Sequence, residues 1–186
     1  MTVGTASSGD THSASGAWTG RRSFVRGMRL RYWLMKSEPD EFSIADLERA
    51  PTQTTSWFGV RNYQARNYMR EMKPGDRAFF YHSSCPEPGI AGIAQVVAAA
   101  HPDVTQFDAR GKYFDAKATR EEPRWWNVDV KWVSTTRLVS LAELREADAL
   151  SDMVILRRGN RLSITPVTKQ EWDVVARLAA HKPSKA

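Results

Sequence analysis

Short stretches with a period-two or strongly apolar pattern recur along the chain and predict β-strands. The pattern is clearest over residues 126–132, where Trp and Val alternate with Asn, Asp and Lys. Such a segment has one apolar face and one polar face, which is typical of a half-buried strand. Four further stretches predict strands: RYWLMK, DRAFFYHS, GIAGIAQVV and RLSITPV. Gly89 and Gly92 predict a bend or a close backbone approach, and Pro166 predicts the end of the last strand.

Three segments predict helix N-termini, because each places an acidic residue three positions after a hydroxyl residue. The pairs are Ser43 with Asp46, Ser140 with Glu143, and Thr168 with Glu171. The hydroxyl can accept a hydrogen bond from an N–H group of the first turn, while the carboxylate reaches back to the cap. Helices inserted between five short strands, without regular βαβ repeats, favour the α+β class with a barrel-like sheet.

The first 27 residues differ in composition from the rest of the chain. They are rich in Ser, Thr, Gly and Ala with almost no apolar periodicity, so we expect a disordered leader. We expect Met28 to be the natural start of the protein; the alternative is that the leader is a basic arm that contacts phosphates. Residues 28–180 have the length of a single domain with a proper core, and residues 181–186 form a tail.

Charge and cysteine content place loose limits on the partner and the compartment. The formal net charge is +6, and +4 without residues 1–27, which permits a nucleic-acid partner without requiring one. Cys85 is the single cysteine, no apolar run is long enough to cross a bilayer, and no secretory signal is present. These observations favour a reduced, cytoplasmic compartment. We expect a monomer with no membrane partner.

No motif for a cofactor or a metal occurs in the sequence. The phosphate-binding patterns GxxxxGK[ST] and GxGxxG, the zinc pattern HExxH and the nucleophile pattern GxSxG are all absent. We therefore expect no cofactor. His82 falls inside a predicted strand, where a hydrogen-bonded group at the strand end is favoured over a catalytic role.

The segment WFGVRNYQARNYM, residues 57–69, combines aromatic and guanidinium groups beside a turn. A helix that begins near Asn62 places Asn62, Arg66, Arg70 and Lys73 along one polar, basic stripe. The stripe begins close to Trp57, so a ring stacked on that indole would have cations and a helix N-terminus nearby. Two alternatives stay open: a basic face that is merely solvated, and a tryptophan that only fills the core.

Five stretches taken together resemble the EVE domain family of the PUA-like superfamily. They are YWLMKSEPDEFSIADL, WFGVRNYQARNYMREMKPGDRAFFYHS, GIAGIAQVV, WWNVDVKWV and RLSITPV. The resemblance spans residues 28–178 and implies a PUA-like mixed β-barrel of five to six strands with flanking α-helices. It also implies a pocket similar to that of YTH domains, which read methylated adenine in RNA. Modified bases such as 5-methylcytosine derivatives are the ligands it points to.

The resemblance also implies the residues of that pocket. Lys36 and Ser37 match the Lys-Ser pair that ends the first strand, and Trp57 matches the first wall of the YTH aromatic cage. Trp132 falls where a second cage tryptophan lies, although the strand period alone would leave it in the core. Positions common in the EVE pattern add four pocket residues: Asn62, Tyr81, His82 and Ser83. Phe58 is a departure, because a small acidic or polar residue is expected there.

The predicted function is a non-catalytic module that binds a modified nucleobase in DNA or RNA through this aromatic pocket. Four side chains are expected to contact phosphates: Arg61, Arg66, Arg70 and Lys73. One alternative is a sensor of a free nucleoside or small metabolite. Another is a hydrolase acting on nucleic acid, with an acid–base set formed by Lys36, Glu38, Tyr81 and His82.

Overall fold

The computed structural model describes residues 30–180, which form eight β-strands and four α-helices. The strands are β1 (Tyr32–Ser37), β2 (Thr54–Ser56), β3 (Arg77–His82), β4 (Gly89–Val96), β5 (His101–Pro102), β6 (Trp126–Asn127), β7 (Asp129–Ser140) and β8 (Ile164–Val167). The helices are α1 (Ile44–Arg49), α2 (Tyr63–Glu71), α3 (Leu141–Glu146) and α4 (Lys169–Ala180). The predicted leader, Met28 and the tail lie outside the described residues.

Six strands form one mixed sheet in the order β2-β7-β4-β3-β1-β8. Strands β1 and β3 are parallel neighbours, and every other adjacent pair is antiparallel. The α+β class is confirmed. Among the described residues β2 and β8 form the two edges of the sheet, so the sheet remains open and does not close into the expected barrel. Strands β5 and β6 pair separately.

The sheet carries an apolar layer on each face. Trp33 of β1 and Phe80 of β3 belong to the layer beneath α1 and α2, whereas Leu34 and Phe79 belong to the layer beneath α3 and α4. Because both faces are covered, β3 is buried from Ala78 to Tyr81 and shows no exposed face between them. Polar side chains of these strands can therefore meet a ligand only where the strands end.

All three predicted helix starts are confirmed as reciprocal capping pairs. The Asp46 N–H donates to Ser43 Oγ (3.2 Å), and the Asp46 carboxylate accepts from the Ser43 N–H (2.8 Å). Hydrogen bonds from Ser43, and then from Arg49, lower the pKa of Asp46 from 3.8 to about 2. Equivalent pairs begin the other two helices: Ser140 with Glu143, and Thr168 with Glu171.

Gly92 and Pro166 were each expected to have a particular effect on a strand, and the structure confirms one of these two predictions. A Cβ atom on Gly92 would lie 2.6 Å from Cγ1 of Ile44 and 2.7 Å from the Ser134 carbonyl oxygen, which confirms the close approach predicted there. The predicted strand end at Pro166 is wrong, since β8 continues to Val167. A proline is tolerated there because β8 lies at the edge of the sheet.

Candidate functional site

A cavity of about 840 Å³ lies where the parallel strands β1 and β3 end. Its walls come from the end of β1 and the loop after it, from β2 and the turn after it, from the end of β3, and from two more distant loops. Five residues expected in a pocket line this cavity: Lys36, Ser37, Trp57, Tyr81 and Ser83. The fold thus gathers side chains that are up to 47 positions apart in the sequence.

Trp57 belongs to the core and also lines the cavity. Its residue is only 8% exposed, and its ring packs edge-on against Phe80, with 5.3 Å between ring centroids. The backbone N–H of Trp57 donates to the Val128 carbonyl oxygen (2.8 Å), which holds the start of the turn after β2 against the residue before β7. The indole is therefore a rigid wall, and it fills the core at the same time.

The polar part of the cavity combines one cation with hydroxyl groups. Burial lowers the pKa of the Lys36 ammonium below 10.5, and it raises the pKa of the Tyr81 phenol above 10.0. The phenol is therefore protonated at neutral pH and can donate a hydrogen bond. Ser37 Oγ donates to the Phe42 carbonyl oxygen (2.7 Å), and the Ser83 N–H donates to the Ser37 carbonyl oxygen (2.9 Å).

Three residues expected in the pocket do not line the cavity, because each side chain is engaged elsewhere in the fold. The Asn62 side-chain oxygen caps α2 by accepting from two N–H groups of its first turn (2.9 and 3.1 Å). His82 Nε2 accepts from the Ile44 N–H at the start of α1 (3.2 Å). The Trp132 indole N–H donates to Thr135 Oγ1 (3.0 Å). An Asn directly before a helix is itself a cap signal.

Arg61 lines the cavity, but its guanidinium is committed to the protein and not to the open space. It donates to the Asp103 carboxylate (2.8 Å), to the Tyr113 carbonyl oxygen (2.6 and 3.0 Å) and to Thr105 Oγ1 (3.0 Å). Burial would raise the pKa of Asp103, but hydrogen bonds from Thr105, Arg61 and Gly59 outweigh burial and lower the pKa below 3.8. The sequence predicts that Arg61 contacts a phosphate, whereas in the structure its guanidinium donates to groups of the protein itself.

The other three side chains expected to contact phosphates, Arg66, Arg70 and Lys73, lie on α2 or just after it and do not line the cavity. The Arg66 guanidinium lies 4.8 Å from the centroid of the Tyr63 ring and donates to the Arg124 carbonyl oxygen (3.0 Å). Arg70 is exposed and lies 5.0 Å from the Trp126 ring, and Lys73 is also exposed. Arg70 and Lys73 are therefore exposed cations that do not belong to the cavity lining.

Part of the wall comes from residues that no sequence pattern indicated. Tyr113 packs its ring against Gly59, where a Cβ atom would lie only 2.7 Å from Cζ of the tyrosine. Phe58 is 53% exposed and meets the same tyrosine ring edge-on, with 6.0 Å between centroids. Lys112 forms an ion pair with Glu41 (2.7 Å) from the loop after β1. The glycine in the string FGV was the available signal in the sequence, because it indicates a turn, and the structure shows that turn with a positive φ at Gly59 (81°). The string does not indicate what covers the turn.

The predicted acid–base set is not assembled, because His82 does not line the cavity with Lys36, Glu38 and Tyr81. Among residues 30–180, no group of three or more His, Cys, Asp or Glu side chains is arranged to hold a metal ion. In the same range no helix combines the length and the apolar character that crossing a membrane requires.

The fold and the cavity define a small α+β module with a pocket at the ends of two parallel strands. Residues 31–178 match the EVE domain family, so the chain belongs to that family. The resemblance inferred from the sequence is therefore confirmed.

Relatives and solved structures agree with this assignment. Thymocyte nuclear protein 1 from Homo sapiens is 46% identical over 171 residues, which cover 82% of this chain and 76% of the human protein. A crystal structure of a Pseudomonas putida protein is 50% identical, with a TM-score of 0.77 over 80% of this chain and 99% of that one. The crystal structure of human THYN1 protein in complex with DNA containing 5-methylcytosine is 46% identical, with a TM-score of 0.79 over 82% of this chain and 99% of that one.

The contact between Gly59 and Tyr113 predicts a difference between two alanine substitutions. Gly59 and Gly159 have similar positive φ values (81° and 77°), so Gly59→Ala and Gly159→Ala share the backbone strain. Nothing lies within 4 Å of the Cβ position at Gly159. We expect Gly59→Ala to lower the free energy of unfolding by about 1–3 kcal/mol more than Gly159→Ala, measured by urea titration. Equal losses would contradict the packing, and Tyr113→Ala in the Gly59→Ala background should recover part of the difference.

His82 predicts a loss of stability on mild acidification. Burial lowers its pKa below 6.5, and the opposing charge of Asp46 only partly offsets this. Between the folded-state pKa and 6.5 the unfolded chain binds more protons, so the free energy of unfolding falls as the pH falls through that window. We expect His82→Gln, which keeps an acceptor for the Ile44 N–H, to show a smaller loss between pH 7.5 and 5.5 by thermal unfolding. His101→Gln is the control, and an unchanged pH dependence in His82→Gln would exclude this role.

Proposed function

We propose that the protein binds nucleic acid and inserts one modified base, such as a 5-methylcytosine derivative, into the cavity beside Trp57. The observation that carries the proposal is the convergence of that indole with Lys36, Ser37 and Tyr81 in one cavity. An aromatic wall suits the flat face of a base, and the ammonium and hydroxyl groups suit its polar edge.

The free energies of stacking, unstacking and methyl burial indicate which further contacts such binding needs. Stacking on an aromatic side chain contributes about 1–3 kcal/mol per base, which is similar to the few kcal/mol that unstacking a base from a duplex costs. Burying one methyl group adds about 0.8 kcal/mol, or roughly a fourfold preference. The cavity therefore supplies selection, while most of the remaining affinity has to come from contacts to the phosphate backbone.

The exposed cations outside the cavity are the proposed source of those backbone contacts. Arg70 and Lys73 are exposed, and Arg66 precedes Arg70 by four residues, about one turn of α2. Arg61 instead shapes the cavity wall through Asp103. Support for a DNA ligand comes from the human THYN1 protein, which was solved in complex with 5-methylcytosine-containing DNA. It is 46% identical to this chain, over 82% of this chain and 99% of the human one.

Replacing two tryptophans separately tests which indole contacts the base. We expect Trp57→Leu to weaken binding to an oligonucleotide with one 5-methylcytosine by roughly 5- to 100-fold, because stacking is lost. Trp132→Leu should change the affinity less than twofold, because Trp132 packs beside the same apolar layer without lining the cavity. Fluorescence anisotropy measures the affinities, and thermal unfolding shows whether each variant is folded. A folded Trp57→Leu variant with wild-type affinity would refute the proposal.

A free nucleoside remains a second candidate ligand, because 840 Å³ lies in the range of small-molecule sites. Salt separates the two functions. Binding to an oligonucleotide through phosphate contacts weakens as salt rises, and Arg70→Ala should reduce the slope of log K against log salt by about 1. Lys169→Ala on α4, beneath the opposite face of the sheet, is the charge-matched control. A salt-independent affinity for the oligonucleotide would favour the free nucleoside.

A further inference from the structure

Two hydroxyl groups at the cavity have their protons committed to acceptors within the protein. Ser37 at the end of β1 donates to the Phe42 carbonyl oxygen (2.7 Å). Ser56 at the end of β2 donates to the Asp129 carboxylate, and both serines line the cavity. A hydroxyl has one proton and two lone pairs, so each serine can only accept a further hydrogen bond.

Strand pairing fixes the Ser56 hydroxyl in this state. Ser56 and Asp129 are directly paired residues of the antiparallel strands β2 and β7, so their side chains meet as cross-strand neighbours. The same carboxylate oxygen also contacts His101 Nε2 (3.1 Å), a residue that is absent from the cavity lining. Because the Ser56 proton is engaged by this carboxylate oxygen, only the acceptor lone pairs of the hydroxyl are left for a ligand.

Acceptors in the wall distinguish bases by the group at ring position 4 of a pyrimidine. Cytosine carries an amino group there, which donates, whereas thymine carries a carbonyl oxygen, which accepts. 5-Methylcytosine and thymine share the 5-methyl group, so apolar contacts do not separate them. A carbonyl oxygen placed against the committed serine hydroxyls would be left without a donor, and unpaired buried polar groups are strongly disfavoured.

We propose that the cavity selects bases with an exocyclic amino group, and that Asp129 sets this selection by holding the Ser56 hydroxyl as an acceptor. Ser37, at the end of β1, adds a second acceptor to the cavity lining. This inference rests on the proposed function and specifies the chemical class of base that the same site takes. Asp129 acts through Ser56 and is a positioning residue.

Matched oligonucleotides test the selection. The probes are two single-stranded oligonucleotides that differ only in one central base, 5-methylcytosine or thymine, and affinities are measured by fluorescence anisotropy with the full chain. We expect the wild-type protein to prefer 5-methylcytosine by roughly 5- to 100-fold. Ser56→Ala should weaken binding of the 5-methylcytosine probe and leave binding of the thymine probe nearly unchanged. The preference for 5-methylcytosine over thymine should therefore become smaller.

Asp129→Asn tests the positioning role with an isosteric side chain. An amide can donate to Ser56 Oγ, which leaves the serine hydroxyl free to donate its own hydrogen towards the cavity. The preference for 5-methylcytosine over thymine should then become smaller or reverse. His101→Gln is the control, because it alters the other partner of the same carboxylate without touching Ser56. Thermal unfolding confirms that each variant is folded.

The outcomes separate this inference from the function on which it rests. Equal affinity of the wild-type protein for both probes, with binding still weakened by Trp57→Leu, would overturn the amino-group selection alone. A preference that survives both Ser56→Ala and Asp129→Asn would also overturn it. If neither probe binds the wild-type protein, or if a folded Trp57→Leu variant binds normally, the proposed function fails and the inference fails with it.

Discussion

The cavity wall depends on a buried carboxylate, that of Asp103, which has no exposed surface. An ionised group removed from water costs several kcal/mol unless the protein replaces its hydration. Here the replacement consists of donors from Gly59, Arg61 and Thr105. Those donors can converge only if the turn after β2 and the loop beyond β5 lie against each other. Removing either charge of the pair would leave the other uncompensated, at a cost of about 3–5 kcal/mol.

The same contact explains how a conformationally demanding turn can carry a binding wall. Gly59 adopts a positive φ, donates its N–H to Asp103 (2.9 Å) and leaves room for the Tyr113 ring. Arg61 then holds the Tyr113 backbone through its carbonyl oxygen. Trp57 is thus presented to the cavity by a short segment whose far end is fixed by an ion pair. The Arg61 guanidinium therefore shapes the cavity wall through hydrogen bonds within the protein.

Local signals in the sequence located the elements well. The three capping pairs each involve residues three positions apart, and the polar, basic stripe along α2 repeats with the helical period, so both were readable from the sequence. The end of β1 was also readable, because Lys36 and Ser37 stand directly before a capped helix. Their position opposite Tyr81 and His82 follows from the parallel register of β1 and β3. The role proposed for Trp57 came from the family resemblance and from the basic residues that follow it, not from strand periodicity.

The remaining errors share a physical cause, which is that one-dimensional patterns do not report which remote groups meet. His82 and Tyr81 are adjacent in β3, yet alternation sends the phenol to the cavity and the imidazole to the N-terminus of α1. Asp103 and Tyr113 come from the segment between β5 and β6, which has no regular apolar period. Stretches buried on both faces, such as β3, also lose the alternation that would identify a single inward face.

The two edge strands of the sheet affect how readily the protein aggregates. An exposed edge strand with a long row of unpaired N–H groups can form hydrogen bonds with a strand of another chain, which is a route to aggregation. Within residues 30–180 one edge is β2, which is only three residues long, and the other is β8, in which Pro166 has no N–H to offer. Tolerating a proline inside that strand therefore also discourages the growth of intermolecular β-structure at that edge.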